Sequence, residues 1–168
     1  MDAQGLLTEL FGRVDAHVHR VVEGLDPEAL RRSPAPGTNP VGWLVWHLTR
    51  VQDHHIAELA DQPQVWVAGD WAARFGLDPD PDNNGYGHSA DDVAAVQPES
   101  AAALTEYHDA VTAQTRRYLA TVTPEDLDGI VDRRWDPPVT LAVRLISIAD
   151  DDIQHAGQAA YLRGLLDL

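Results

Sequence analysis

The sequence contains no cysteine and no lysine, and only a single methionine. Without cysteine the chain forms no disulfide, no thiolate metal site and no cysteine nucleophile, so any thiol chemistry needs a thiol brought from outside. Basic residues are scarce too. Twelve arginines stand against 27 acids, a formal charge of −15, which argues against an electrostatic grip on nucleic acid or on an anionic membrane. No segment offers the roughly 18 uncharged apolar residues of a membrane span. The N-terminus lacks a basic start followed by an apolar run, so a cytoplasmic protein is expected. Glycine-rich phosphate loops, a Gly-x-Ser-x-Gly elbow and a His-Glu-x-x-His pair are missing as well. What is present, 168 residues of which 44% are apolar, suffices for one continuous core, and a single domain over 1–168 is expected.

The apolar residues recur with helical spacing. Leu6, Leu7, Leu10, Phe11, Val14, Val18 and Val21 predict an amphipathic helix over 3–23. Asp26 before Pro27 reads as an N-cap and first-position proline, so DPEALRR predicts a short helical turn. A second long helix is predicted from Val41 to about Ala60, and a third from Pro98 to about Thr121 with Leu104, Tyr107, Val111, Thr115 and Leu119 on one face. TPEDL at 123–127 repeats the signal of DPEAL, and a linker through Trp135 leads to a last helix over 138–168. That last helix is apolar nearly all the way round, which predicts a place in the middle of a bundle. Residues 61–97, rich in proline, glycine and acids, predict a long excursion packed through Trp66, Trp71 and Phe75, with one helical piece at 90–96. Both halves follow the order long helix, short turn, proline-containing linker, long helix. The expected architecture is therefore all-α, a four-helix bundle with a pseudo-twofold helix-pair repeat.

The predicted last helix carries Asp150, Asp151, Asp152 and His155 on its apolar background. Buried carboxylates cost several kcal/mol, roughly, unless they are paired or bound to a metal. Asp151 and His155, four apart, lie about 40° from each other on one face. Asp152 with His155 is an i, i+3 pair, and spacing alone does not choose between the two aspartates. His47, between Trp43, Leu44, Val45, Trp46 and Leu48, points into the core. One such histidine is ordinarily a hydrogen-bonded core residue. Two imidazoles and a carboxylate from two helices suit a divalent ion with open positions, zinc above all, with nickel and iron(II) as further candidates. Around them, Trp43 and Trp46 are candidate pocket walls, and His54, two turns beyond His47, a candidate for the pocket mouth. Gln158 can orient a ligand or touch substrate. His55 is expected to turn away, Arg144 and Arg163 to be solvated, and His17, His19, His88 and His108 have no partner that the sequence identifies.

Three stretches resemble the DinB-like superfamily of metal-binding four-helix bundles, which includes mycothiol and bacillithiol S-transferases: PAPGTNPVGWLVWHLTRVQDHH at 34–55, WDPPVTLAVRL before the last helix, and DDDIQHAGQAAYLRG at 150–164. The resemblance covers nearly the whole chain. It implies a metal site made of one histidine on the second long helix and two residues spaced i, i+4 on the fourth, here His47, Asp151 and His155. Many members have histidine where this chain has Asp151, and some use an acid. The implied activity is metal-dependent S-transfer, as in detoxification, from a low-molecular-weight thiol to a small electrophile. Mycothiol is the favoured thiol, and bacillithiol and glutathione are the others. The second function class is a non-catalytic metal- or small-ligand-binding stress-response protein. A homodimer through exposed apolar helix faces is common in such bundles, though no segment marks one here.

Overall fold

The computed structural model describes residues 2–168. In chain order its helices are α1 (Ala3–Val22), α2 (Pro27–Arg31), α3 (Val41–Ala60), α4 (Val65–Ala68), α5 (Trp71–Arg74), α6 (Ala90–Ala95), α7 (Ala101–Leu119) and α8 (Leu141–Leu165). The helix starts are those that the capping residues dictate. Asp2, Asp26, Ser100 and Thr140 each accept a first-turn N–H, from Gly5, Ala29, Ala103 and Val143. The four long helices close a ring in which α3 lies beside α8, α8 beside α1, α1 beside α7 and α7 beside α3. The core runs through Val14, Val18, Leu44, Leu48, Leu104, Val111, Leu145, Ile148 and Ala159. Each contributing helix supplies these residues at i, i+3, i+4 or i+7.

Which helix is most enclosed differs from expectation. α8 buries Leu141, Leu145, Ile148, Ala149, Asp152, Ala156, Ala159 and Leu162 on one side. Its other side leaves Val143, Ile146, Ile153, Tyr161 and Leu165 in solvent, with Tyr161 73% exposed. α3 is instead buried almost all round, from Val41 to Arg50 without a break. The reason is the 61–97 excursion, which covers the flank of α3 that the other three long helices leave open.

That excursion holds two further short helices, α4 and α5, beside the expected one. Trp66 and Phe75 are fully buried and Trp71 half-buried, as anticipated. Trp66 meets Trp46 edge-on at 6.1 Å and Tyr107 at 5.4 Å. Polar anchors on α3 complete the attachment. The N–H groups of Val65 and Trp66, orphans at the start of α4, each donate to the Asp53 carboxylate at 2.8 Å. Arg50, fully buried, donates to the carbonyl oxygens of Asn83 and Pro81 at 3.0 Å and to Gln64 Oε1 at 3.0 Å.

The second PE-containing turn also departs from its counterpart. Where Asp26 accepts from the helix it caps, the N–H and hydroxyl of Thr123 donate to Asp126, and only a 3₁₀ turn at Asp126–Asp128 forms. The linker into α8 is a small antiparallel hairpin, β1 (Ile130–Asp132) and β2 (Val139–Thr140).

Candidate metal centre

His47 leaves the enclosed part of α3 towards α8, where Asp151 and His155 project one turn apart. The two imidazoles meet edge-to-face with centroids 4.7 Å apart, and His155 Nε2 lies 3.6 Å from Asp151 Oδ1. One donor atom from each of the three residues lies within 4.8 Å of the others. The remaining nitrogen of each ring is already engaged. His47 Nδ1 is 2.5 Å from the carbonyl oxygen of Asn84, and His155 Nδ1 is 2.8 Å from Gln158 Oε1. A carbonyl oxygen only accepts, so both Nδ1 atoms carry a proton, and in the neutral rings both Nε2 atoms keep a free lone pair. Asp151 Oδ2 is buried and has no partner among the described residues. Two oriented imidazoles and a carboxylate with an orphaned oxygen are the donor set a divalent ion of zinc type takes.

Burial lowers the pKa of His47, against the upward pull of the Asn84 carbonyl and Asp151, so that ring is held neutral. His155 is shifted upward, first by its contact with Asp151. An ion that binds there displaces the His155 proton, which links its affinity to pH.

The surroundings hold the first imidazole in one orientation. Trp43, one turn before His47, stacks on its ring at 4.6 Å with 15° between the planes. Gly85, at φ +95°, lies across this platform. A Cβ there would come within 2.5 Å of His47 Nδ1 and about as close as 3.0 Å to Trp46, so glycine is required both for conformation and for space. His88 closes the edge. Trp43 Nε1 donates to its Nδ1 at 3.2 Å, its Nε2 donates to Asn83 Oδ1 at 2.8 Å, and its ring stacks on Trp46.

Beside the three donors opens a cavity of about 250 Å³ lined by His47, Val51, His55, Asn84, Tyr86, Ser147, Ile148 and Asp151. Of the residues expected to contact substrate, Trp43 adjoins the donors and Gln158 orients His155. Trp46 is fully buried behind the site, between Trp66 and His88. His54 is not brought to the cavity, since its Nδ1 faces Gln64 and the Pro81 carbonyl. His55 takes that place. Its Nδ1 is buried without a hydrogen-bond partner, and burial beside Arg144 and His54 lowers its pKa to about 4. The cavity lies on the α8 side of α3, which the residue eight positions beyond His47 reaches and the one seven beyond does not.

The three aspartates of α8 separate as adjacent helical positions must. Asp150 pairs with Gln154 at the surface, Asp151 faces His155, and Asp152 is fully buried with both oxygens unpartnered and its pKa raised by that burial. Arg144 is bound by Asp132 at 2.7 Å, and Arg163 donates to the carbonyls of Arg20 and Val21. Neither is a free, solvated cation as expected. His88, Tyr86 and His55 were not legible as site residues. The one signal for the first two is the turn-forming run NNGYGH at 83–88, which places two aromatic rings among glycines.

The sequence matches the model of a family described as mycothiol-S-transferase over residues 6–168. No curated protein matches it. Among solved structures it is similar to one described as the crystal structure of the conserved protein of locus from Enterococcus faecalis. The identity is 31% and the TM-score 0.88, over 97% of this chain and 96% of that one.

Proposed function

Given that the chain belongs to the mycothiol S-transferase family, a DinB-like family, we propose that it conjugates a low-molecular-weight thiol, mycothiol by family, to a small electrophile. His47, Asp151 and His155 hold a divalent ion, zinc for preference, at the head of the cavity. The observation that carries this reading is that one donor atom from each of His47, Asp151 and His155 lies within 4.8 Å of the others at the edge of open space. Three protein donors beside a cavity are the pattern of a catalytic site, whereas a structural site is closed by a fourth. This favours turnover over a purely binding role.

When bound there, a divalent ion supplies the positive charge that lowers the pKa of a thiol. The protein's own groups do the rest. Asn84 and Gln158 fix the two rings through Nδ1, and the Trp43 indole keeps water from the flank of His47. Ser147, His55 and Tyr86 line the space where the electrophile meets the sulfur. A volume of about 250 Å³ lies below the usual range of small-molecule sites, roughly 300–1,000 Å³, so it takes the reacting ends only. The bulk of the thiol rests outside, where Tyr86 is 92% exposed. In the reaction the thiol proton passes to water and the sulfur lone pair forms the new carbon–sulfur bond. In a substitution the leaving group departs with its bonding pair, and in an addition the displaced pair takes a proton from water.

The test is conjugation of mycothiol to a chromogenic electrophile, with the metal content of the same samples. His47→Ala and His155→Ala lose conjugation and each bind one equivalent of metal fewer than wild type, while keeping their helical signal. Wild-type rates in both variants would refute the assignment.

A further inference from the structure

On the other side of the bundle, α1 and α7 share a second group of donors with no role in the reaction above. Asp15 and His19 are four apart on α1, and His108 and Asp109 are neighbours on α7. His19 Nε2 lies 2.7 Å from Asp109 Oδ1 and 3.9 Å from Asp15 Oδ1, and donor atoms of these three residues all lie within 4.8 Å of one another. By itself a patch of acids and a histidine at the surface is ordinary. His108 makes it otherwise.

The His108 side chain is fully buried, and its Nδ1 is 3.1 Å from Thr49 Oγ1. The hydroxyl of Thr49 donates its one hydrogen to the Val45 carbonyl at 2.8 Å, so it accepts from His108 Nδ1–H. His108 Nε2 is therefore an unprotonated lone pair. It is directed towards Asp15 Oδ1, 3.9 Å away, and both atoms are buried without a hydrogen-bond partner. Two acceptors thus face each other across a gap with no donor between them. Such an arrangement is costly unless something positive occupies the gap. Arg116 does not, since its guanidinium binds the other oxygen of Asp15, Oδ2, at 3.3 Å.

We propose that this is a second metal site, taking a zinc ion between Asp15 Oδ1, His19 Nε2, Asp109 Oδ1 and His108 Nε2. Zinc with bonds of roughly 2.0–2.1 Å in a tetrahedron spaces its donors about 3.3 Å apart. The separations of 2.7 and 3.9 Å among Asp15, His19 and Asp109 bracket that value, His108 Nε2 stands 3.9 Å from Asp15 Oδ1, and binding requires His19 and Asp109, both about half-exposed, to rotate towards His108. The two carboxylates offset the ion's charge, and the exposed pair gives it a path from solvent. Two imidazoles and two carboxylates leave no coordination position open, and the surface groove that His19 borders with Ala16, Arg20 and Glu23 is not lined by the other three donors. The ion is structural, fastening α1 to α7.

Protein stripped with a chelator and titrated with zinc provides the test. Wild type takes up two tight equivalents. His19→Ala and Asp109→Ala each take up one fewer, and both keep the equivalent that His155→Ala loses. A saturating excess, about a hundredfold over Kd, raises Tm by roughly 5–10 °C per occupied site, so His155→Ala keeps the gain from this site, His19→Ala lacks it, and wild type shows the gains of both. Cobalt(II) in His155→Ala gives the intense visible bands of tetrahedral coordination, and His19→Ala/His155→Ala does not. Equal zinc uptake by wild type, His19→Ala and Asp109→Ala overturns the proposal. So does a single wild-type equivalent that His155→Ala abolishes. A single equivalent that His19→Ala abolishes instead upholds it and counts against the metal assignment at His47.

Discussion

The two helix junctions of this bundle carry nearly the same residues in different surroundings. At one, α8 offers Asp151-x₃-His155 and α3 offers His47; at the other, α1 offers Asp15-x₃-His19 and α7 offers His108 with Asp109. The first is roofed by residues 83–88 and opens on a cavity, with each imidazole braced through Nδ1. The second has no roof, an arginine on its carboxylate and a fourth donor where the first has space. A ligand set fixes which ion is held, but what lies around it decides whether a substrate can reach that ion. The proposed division, chemistry at α3/α8 and bracing at α1/α7, rests on that difference.

The largest expected effect separates the junctions outright. His155→Ala lowers kcat/KM for thiol conjugation by about three orders of magnitude, whereas His19→Ala leaves it within about twofold. Steady-state rates at saturating zinc decide it. Next is acid stability of the metal-free protein. Burial pushes the pKa of His108 from 6.5 to about 4. The unfolded chain therefore takes up a proton between those values that the folded chain refuses. The stabilising contribution is whole above pH 6.5, declines by up to about 3 kcal/mol as pH falls to 4, and is level below that. Urea melts in chelator at several pH values show this extra decline in wild type, and His108→Gln removes it. A smaller effect tests the roof. In Gly85→Ala the added methyl lifts the Asn84 carbonyl off His47 and weakens zinc binding about 10- to 100-fold, read by competition with a chelating dye. Smallest is Gln158→Ala, which frees the His155 ring and costs about tenfold in the same assay. Affinity unchanged in both variants would mean that the bracing of the imidazoles is incidental.

The long helices were legible because their signals are local. Asp26 with Pro27 marks a start by chemistry within three residues, and the apolar spacing from Leu104 to Leu119 is repeated at every turn; the expected starts at Pro98 and Pro138 fall three residues before the observed ones, where Ser100 and Thr140 cap instead. His47 and His155 stand out for a related reason, as polar groups on apolar faces, but spacing leaves Asp151 and Asp152 open, and only the family resemblance points to Asp151. What escaped depends on distant contacts. α4 is four residues long and is capped by Asp53, 12 and 13 positions upstream, a bond no local pattern shows. Strands of three and two residues are too short for alternation to appear. The apolar count of α8 exceeds that of an exposed helix, yet sequence does not say that Ile146, Ile153 and Tyr161 lack a neighbour while α3 gains one from the excursion. His108 and Asp15 stand 93 positions apart, and only the packing of α1 on α7 reveals that their lone pairs oppose each other.

The buried guanidinium of Arg50 sets a limit on how the proposed active centre can work. Beside its buried ion pair with Asp53 at 3.4 Å it donates to the Pro81 and Asn83 carbonyls, so swinging 80–88 outward would leave two buried N–H groups without acceptors at a cost of about 1–3 kcal/mol each. Residues 80–88 accordingly behave as a fixed ceiling rather than a hinged door. On the proposed reading substrates would come and go past the exposed Tyr86 side chain, with the geometry that aligns His47 in place beforehand.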